Sequence, residues 1–144
     1  MNAPSPLYTR DILRLAASLV PFEPLARTDG EAELRSPTCG SRLRMAVALS
    51  DGRVTEIAQA VEACAVGQAS AAVMIADAKG RNLAEARAAL AGVEAWLGGH
   101  NAAGAGWPGL EALGPARSRI GRHGAMLLPF RALVAALEEA ARPV

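Results

Sequence analysis

The stretch from residue 42 to residue 61 alternates apolar and polar side chains and is interrupted once, by a turn signal. In an extended chain Arg42 and Arg44 lie on one face, and the opposite face carries an apolar set: Leu43, Met45, Val47 and Leu49. Ser-Asp-Gly at 50–52 favours a tight turn, and residues 53–61 then form a further strand. With the short alternating segment 31–37 before them, these residues predict a three-stranded antiparallel meander.

Apolar residues at helical spacing flank these strands on both sides. The predicted helices cover residues 7–20, 66–80, 83–97 and 124–141. Thr9 and Asn82 are suitable N-terminal caps, and Gly80 is a suitable C-terminal stop. Pro129 predicts that the last helix has an irregular first turn or starts late. The expected fold class is α+β: an N-terminal helix, a three-stranded antiparallel sheet, then helices packed on one face of the sheet.

Length and charge exclude several classes of protein. A chain of 144 residues favours a single domain over 1–144. The 15 Lys and Arg residues nearly balance the 14 Asp and Glu residues, which gives no case for a nucleic-acid or membrane surface. The N-terminus has no secretory-signal pattern, and the longest apolar runs are too short to span a bilayer. We therefore expect a cytoplasmic protein whose two cysteines stay reduced.

Three residues with ligand chemistry lie at junctions between predicted elements. Cys39 lies in the turn before a strand, Cys64 between a strand end and a helix start, and His123 at the start of the last helix. Unpaired N–H groups and the helix dipole are expected to favour a thiolate at Cys64. Junction residues can meet at one end of a sheet, where two thiolates and an imidazole would suit zinc or an iron–sulfur cluster.

Simpler interpretations of these residues remain open. Cys64 alone is most simply a small hydrophobic side chain, and His123 alone a capping or surface histidine. His100 is expected to be solvated. Neither cysteine belongs to a CxxC pair. The basic cluster of Arg117, Arg119 and Arg122 favours a solvated loop over a docking patch.

Four stretches together resemble the U-type iron–sulfur cluster assembly scaffolds, the NifU/IscU/SufU family. "SPTCGSRLRMAVALSDGRVTEI" resembles the first cysteine motif, in which a P-x-C-G-D turn leads into a strand. "EACAVGQASAAVM" resembles the second cysteine motif, which opens a helix, and "AKGRNLAEA" the segment that follows it. "RIGRHGAMLLPFRALVAALEEA" resembles the third motif at the start of the C-terminal helix.

The resemblance implies a SufE/NifU-like fold and a site at one end of the sheet. Cys39 becomes the first ligand and Cys64 the second, and His123 falls where the family has a histidine or basic residue beside its third cysteine. It also implies a transient iron–sulfur cluster ([2Fe–2S]) or zinc, and a cysteine desulfurase and other assembly proteins as partners. No enzymatic activity is expected, and the protein is expected to be a monomer or homodimer.

The chain departs from the family pattern near this site. Ser41 stands where the family has aspartate, Gly124 where it has the third cysteine, and Arg122 is adjacent to the site. Residues 1–30 form a divergent N-terminal helix and loop, and the Leu-Pro-Pro-Val-Lys chaperone segment is replaced by "RSRIG". Three protein ligands leave one position open in a tetrahedral shell.

These residues lead to three functional hypotheses. The leading one is a scaffold-like protein that binds iron, zinc or a labile cluster through Cys39, Cys64 and His123. The second is a regulatory or adaptor partner of the assembly machinery, motivated by Ser41 and Gly124. The third is a persulfide-carrying thiol protein that uses Cys64, for which no acid partner of the histidine is evident.

Overall fold

The computed structural model describes residues 7–37, 40–100 and 106–142. Its helices and strands are α1 (Arg10–Ala17), β1 (Gly30–Arg35), β2 (Arg42–Ser50), β3 (Arg53–Glu62), α2 (Ala65–Ala76), α3 (Leu83–Leu97) and α4 (His123–Ala140). Two short 3-10 helices, Leu110–Ala116 and Ile120–Arg122, connect α3 to α4. The α+β order of one helix, three strands and then helices is as predicted.

The three strands form an antiparallel sheet in the order β1-β2-β3. Arg42, the first residue of β2, lies opposite both Arg35 at the end of β1 and Glu62 at the end of β3. One end of the sheet therefore holds the β1–β2 loop and the exit from β3. At the other end, Asp51 and Gly52 form the β2–β3 turn with positive φ values of 51° and 76°.

A bulge on β3 shifts the register of the sheet near that turn. The side chains of Leu43, Met45 and Val47 are 0% exposed, as the alternation predicts. Ala48 lies opposite Glu56 and Leu49 lies opposite Val54, so one extra residue of β3 falls between these pairs. Leu49, beyond this shift, is only partly buried.

Helix α4 lies on β1 and β2 and forms the centre of the core, with α2 and α3 packed against it. At the start of β1 the backbones of strand and helix come so close that a Cβ added to Gly30 would meet the carbonyl oxygen of Ala136. Only glycine permits this approach of strand to helix.

The expected late start of the last helix is wrong. Helix α4 begins at His123 and runs through Pro129. A proline at this position forfeits one backbone hydrogen bond. Pro129 and its neighbours Leu128 and Phe130 are buried, and burying apolar side chains offsets a loss of this size.

The predicted caps of the other helices are present. Thr9 Oγ1 accepts from Ile12 N at 3.2 Å and begins α1. Asn82 and Glu85 form a capping box that begins α3. Helix α2 ends at Ala76, earlier than predicted, and Gly80 (φ 87°) ends the turn that follows it.

After α1, residues 18–26, here called the covering segment, pass the edge of β3. Leu19 lines a cavity together with β3 and α2, on the helical side of the sheet. The guanidinium of Arg44 lies 4.5 Å from the ring of Phe22, on the opposite side of the sheet. The covering segment thus wraps around the edge of β3 and covers part of the face that lacks helices. No helix among the described residues is long and apolar enough to cross a membrane.

Candidate functional site

The loop from Ser36 to Ser41 is closed at its base by two backbone hydrogen bonds. Ser36 N donates to Ser41 O at 2.8 Å, and Gly40 N donates to Ser36 O at 3.1 Å. Gly40 has φ 72°, the left-handed conformation that glycine tolerates best. Cys39, the first predicted ligand, lies outside the described residues. Ser36 and Ser41, the residues at the base of this loop, lie at the end of the sheet where β3 exits.

Cys64 is the N-cap residue of α2 and follows β3 after a single intervening residue. It is a free, half-buried cysteine, and its side chain makes no capping hydrogen bond. The first N–H groups of a helix have no partners within the helix, and this end of the macrodipole is positive. An anionic ligand or cargo is therefore stabilised at this position.

Two small residues hold the start of α2 against the start of α4. A Cβ added to Gly67 would lie 3.2 Å from the Cβ of Ala125. Ser70, one turn later, is fully buried and donates from Oγ to Met126 O at 2.6 Å. Cys64 is one turn before Gly67, and His123 is two residues before Ala125. The close helix contact thus brings the two predicted ligands to the same region.

His123 is half-buried, and one hydrogen bond fixes its ring. Nε2 lies 2.7 Å from the carbonyl oxygen of Arg117. A carbonyl oxygen only accepts, so Nε2 carries the proton and donates. Nδ1 makes no hydrogen bond to any described residue. Metal-ligating histidines commonly donate their second ring nitrogen to a backbone carbonyl in this way.

Arg117 is not solvated, so the expectation of a solvated loop is wrong for this residue. Its Nε and Nη2 donate to Trp96 O at 3.0 and 2.7 Å, and its guanidinium lies 4.7 Å from the Trp96 ring. Trp96 O also accepts from Gly99 N at 3.1 Å, so the guanidinium is a further donor to a carbonyl in the last turn of α3. Arg117 therefore anchors the segment before α4 to α3, and its carbonyl orients His123.

The residues that stand in place of the family's aspartate and third cysteine supply neither a carboxylate nor a thiol. Ser41 is only 4% exposed, and its carbonyl closes the base of the loop. Gly124, half-buried in the first turn of α4, has no side chain. Arg122 Nη2 lies 3.4 Å from Tyr8 Oη, so its side chain points to the segment before α1.

One ion pair stands beside the site. Arg42 Nη2 lies 2.7 Å from Glu62 Oε2, across the ladder that ends next to Cys64. The hydrogen bond to Glu62, and then its charge, raise the pKa of Arg42. Glu62 is thus the partner of Arg42 in an exposed ion pair.

The described residues supply two of the three predicted ligands. Among residues 7–37, 40–100 and 106–142 no three His, Cys, Asp or Glu side chains are grouped as metal ligands. Cys64 and His123 have the soft and borderline donor atoms that zinc and iron–sulfur clusters take. With Cys39 the set would number three and leave a position open.

Sequence reasoning missed the residues that hold these ligands in place. The carbonyl of Arg117 leaves no signal in a sequence, because every residue has one. Gly67 and Ser70 do leave a signal: they are small residues three apart, on the face of α2 that packs against another helix.

Comparisons with known proteins agree with this architecture. Residues 21–103 match the family model described as the NifU-like N terminal domain. This region contains Cys39 and Cys64, and His123 lies beyond it. No curated protein matches the chain.

Two solved structures share the fold over nearly the whole chain. A nitrogen-fixing NifU-like protein (N-terminal) from Brucella abortus is 32% identical, with a TM-score of 0.84, covering 93% of this chain and 94% of that one. A candidate iron–sulfur cluster assembly scaffold protein of the SUF system from Fervidobacterium islandicum AW-1 is 20% identical, with a TM-score of 0.81, covering 91% of this chain and 96% of that one. Because the family model spans more than half of the chain and the Brucella protein matches nearly all of it, the chain belongs to the family of NifU-like N-terminal domains.

Proposed function

We propose that this protein is a scaffold of iron–sulfur cluster assembly, whose cargo is a labile cluster, iron or zinc held by Cys39, Cys64 and His123. The observation that carries the proposal is the close packing of α2 on α4 just after Cys64 and His123, in a member of the NifU-like family. A cysteine desulfurase and other assembly proteins are the partners that this role requires.

The side chains of the two described ligands differ in how strongly their orientation is fixed. His123 is oriented through Arg117, which is itself anchored to α3. The Cys64 side chain makes no capping hydrogen bond that would have to break before its sulfur binds cargo, and the helix end beside it favours negative charge. The proposed roles are therefore a positioned imidazole Nδ1 and an available sulfur.

A three-ligand shell suits cargo that must leave again. A structural zinc site closes with four protein ligands, whereas a site with three keeps a position for a further group. Gly124 supplies no fourth ligand, and Ser41 is buried. We propose that an exogenous thiol, water or a second subunit completes the shell.

The test is anaerobic reconstitution with iron and sulfide, and separately with zinc, followed by visible absorption and by metal and acid-labile sulfide analysis. We expect uptake by the wild type and loss of most of it in Cys39→Ala, Cys64→Ala and His123→Ala. His100→Ala is the matched control, because His100 is exposed. No uptake by the wild type, or equal uptake by the three variants, would refute the proposal.

An adaptor function is the second candidate, favoured by the absence of any side chain at Gly124. A member of the family without the third thiol could bind a cysteine desulfurase without accepting sulfur. Binding of purified desulfurase that survives the double change Cys39→Ala, Cys64→Ala, in a protein that takes up no metal, would support this function. Absence of binding would exclude it.

A further inference from the structure

The outer edge of β3 is open along most of its length. At Val54 the edge is closed, because Val54 exchanges backbone hydrogen bonds with Gly80 and Arg81 at 2.8 and 3.0 Å. From residue 55 to residue 62, no described residue outside the ladder with β2 forms a backbone hydrogen bond to β3. The covering segment passes beside this edge without pairing with it. An open edge of this kind is a template for another strand.

A groove follows this edge between the covering segment and α2. It consists of a cavity of about 860 Å³ beside residues 56–59 and one of about 360 Å³ beside residues 59–61. Leu19, Val20, Pro21 and Gln59 line both cavities, so the two lie next to each other along the edge. At about 3.4 Å per residue the groove is about 17 Å long, which fits an extended segment of five or six residues.

The charge of the groove is of one sign. Its lining contains Glu23 and Glu56 and no lysine or arginine. Glu56 has Lys79 Nζ at 3.7 Å, whereas Glu23 forms no ion pair within the described part of the chain. The rest of the lining is mainly Leu, Val, Pro, Ile and Ala. An occupant with apolar side chains and a positive charge complements this surface.

We propose that β3 receives an extended segment of a partner protein as a fourth strand, with alternating apolar and basic side chains. A peptide fits better than a small molecule, because its backbone supplies donors and acceptors along the whole open edge. The proposal does not depend on metal or cluster binding.

The experiment is a titration with the fluorescent peptide acetyl-Lys-Val-Lys-Val-Lys-Val-amide, with hydrogen exchange of the β3 amides measured by NMR. We expect saturable binding and new protection of alternate amides within residues 56–62. Two further peptides are N-methylated at the three Lys or at the three Val positions, which blocks one edge of the strand or the other. Strand addition predicts that one of them binds about tenfold or more weakly and that the other binds like the parent.

One variant tests the charge complementarity. Glu23→Gln, at an exposed position, is expected to weaken binding severalfold and more so at low salt.

Three outcomes would overturn the proposal. The first is no binding of the parent peptide. The second is equal binding of both N-methylated peptides, which would show occupation of the groove without strand pairing, as by a small amine. The third is protection of the same amides by self-association of the protein alone, which would identify a second copy as the occupant.

Discussion

Gly67→Ala tests whether close packing of α2 on α4 builds the site. A Cβ at this position would lie 2.7 Å from the Cβ of Ala63 and 3.2 Å from the Cβ of Ala125. Neither neighbour has a side chain that can rotate away, so a backbone must move. Overpacking of this kind costs about 1–3 kcal/mol. Alanine in place of glycine inside a helix stabilises the helix by about 1 kcal/mol.

The two terms together predict a net loss of about 1 kcal/mol in the free energy of unfolding, because the overpacking term exceeds the gain in helix propensity. For a domain of this size that lowers Tm by about 3 °C, measured by calorimetry. Gly121→Ala is the matched control, since a Cβ there meets nothing within 4 Å, and its Tm is expected to stay equal or rise slightly.

The same variant tests the site. If α2 shifts on α4, Cys64 moves relative to His123, and we expect zinc affinity to fall about tenfold in competition with a chromophoric chelator. Gly121→Ala is expected to retain wild-type affinity. A rise in Tm for Gly67→Ala would refute the packing argument. A fall in Tm with unchanged zinc affinity would refute the claim that this packing positions the ligands.

Three further substitutions test other parts of the structure. Gly30→Ala places a Cβ against the Ala136 carbonyl and is expected to lower the free energy of unfolding in urea by about 3 kcal/mol; an unchanged midpoint would contradict the close approach. The pKa of Glu85 is lowered by the N–H group of the N-cap residue and by a nearby arginine. The ionised Glu85 side chain therefore stabilises the fold at neutral pH, and this stabilisation is lost as the pH falls through the lowered pKa of the folded state. Glu85→Gln is therefore expected to lower Tm at pH 7 and to match the wild type in acid, and a pH-independent difference would argue against the linkage. Arg117→Met is expected to weaken zinc binding about tenfold, whereas Arg131→Met, at an exposed position of α4, leaves it unchanged; equal affinities would refute the positioning of His123.

The sequence predicts the parts of the fold that depend on neighbours in the chain. Alternation from Leu43 to Val47 and the turn at Asp51 specify two strands and their register, because side-chain direction and turn type are local properties. The caps at Thr9 and Asn82 are local in the same way. The apolar alternation of the sequence continues to Leu49, but beyond the bulge on β3 this side chain is only partly buried.

The errors concern groups whose partners are distant in sequence. Pro129 remains inside α4 because the burial around it depends on the sheet and on α2, which no local rule includes. Arg117 was expected to be solvated, but its partner is a carbonyl 21 residues earlier, exposed only once α3 ends beside it. Cys64 and His123 could be named from their positions at junctions, whereas the close packing of α2 on α4 beside them depends on Gly67.

The candidate site and the open edge of β3 belong to the same end of the molecule. The groove beside β3 finishes at Val61 and Gln68, and Gln68 N donates to Cys64 O at 2.9 Å in the first turn of α2. A strand added to β3 would therefore end against the helix turn that holds Cys64. A partner bound in this way would have its next residues within reach of the open position of a three-ligand site. The register of the added strand would then fix one orientation of the partner. In that orientation the partner would both bind along the edge and exchange cargo at Cys64.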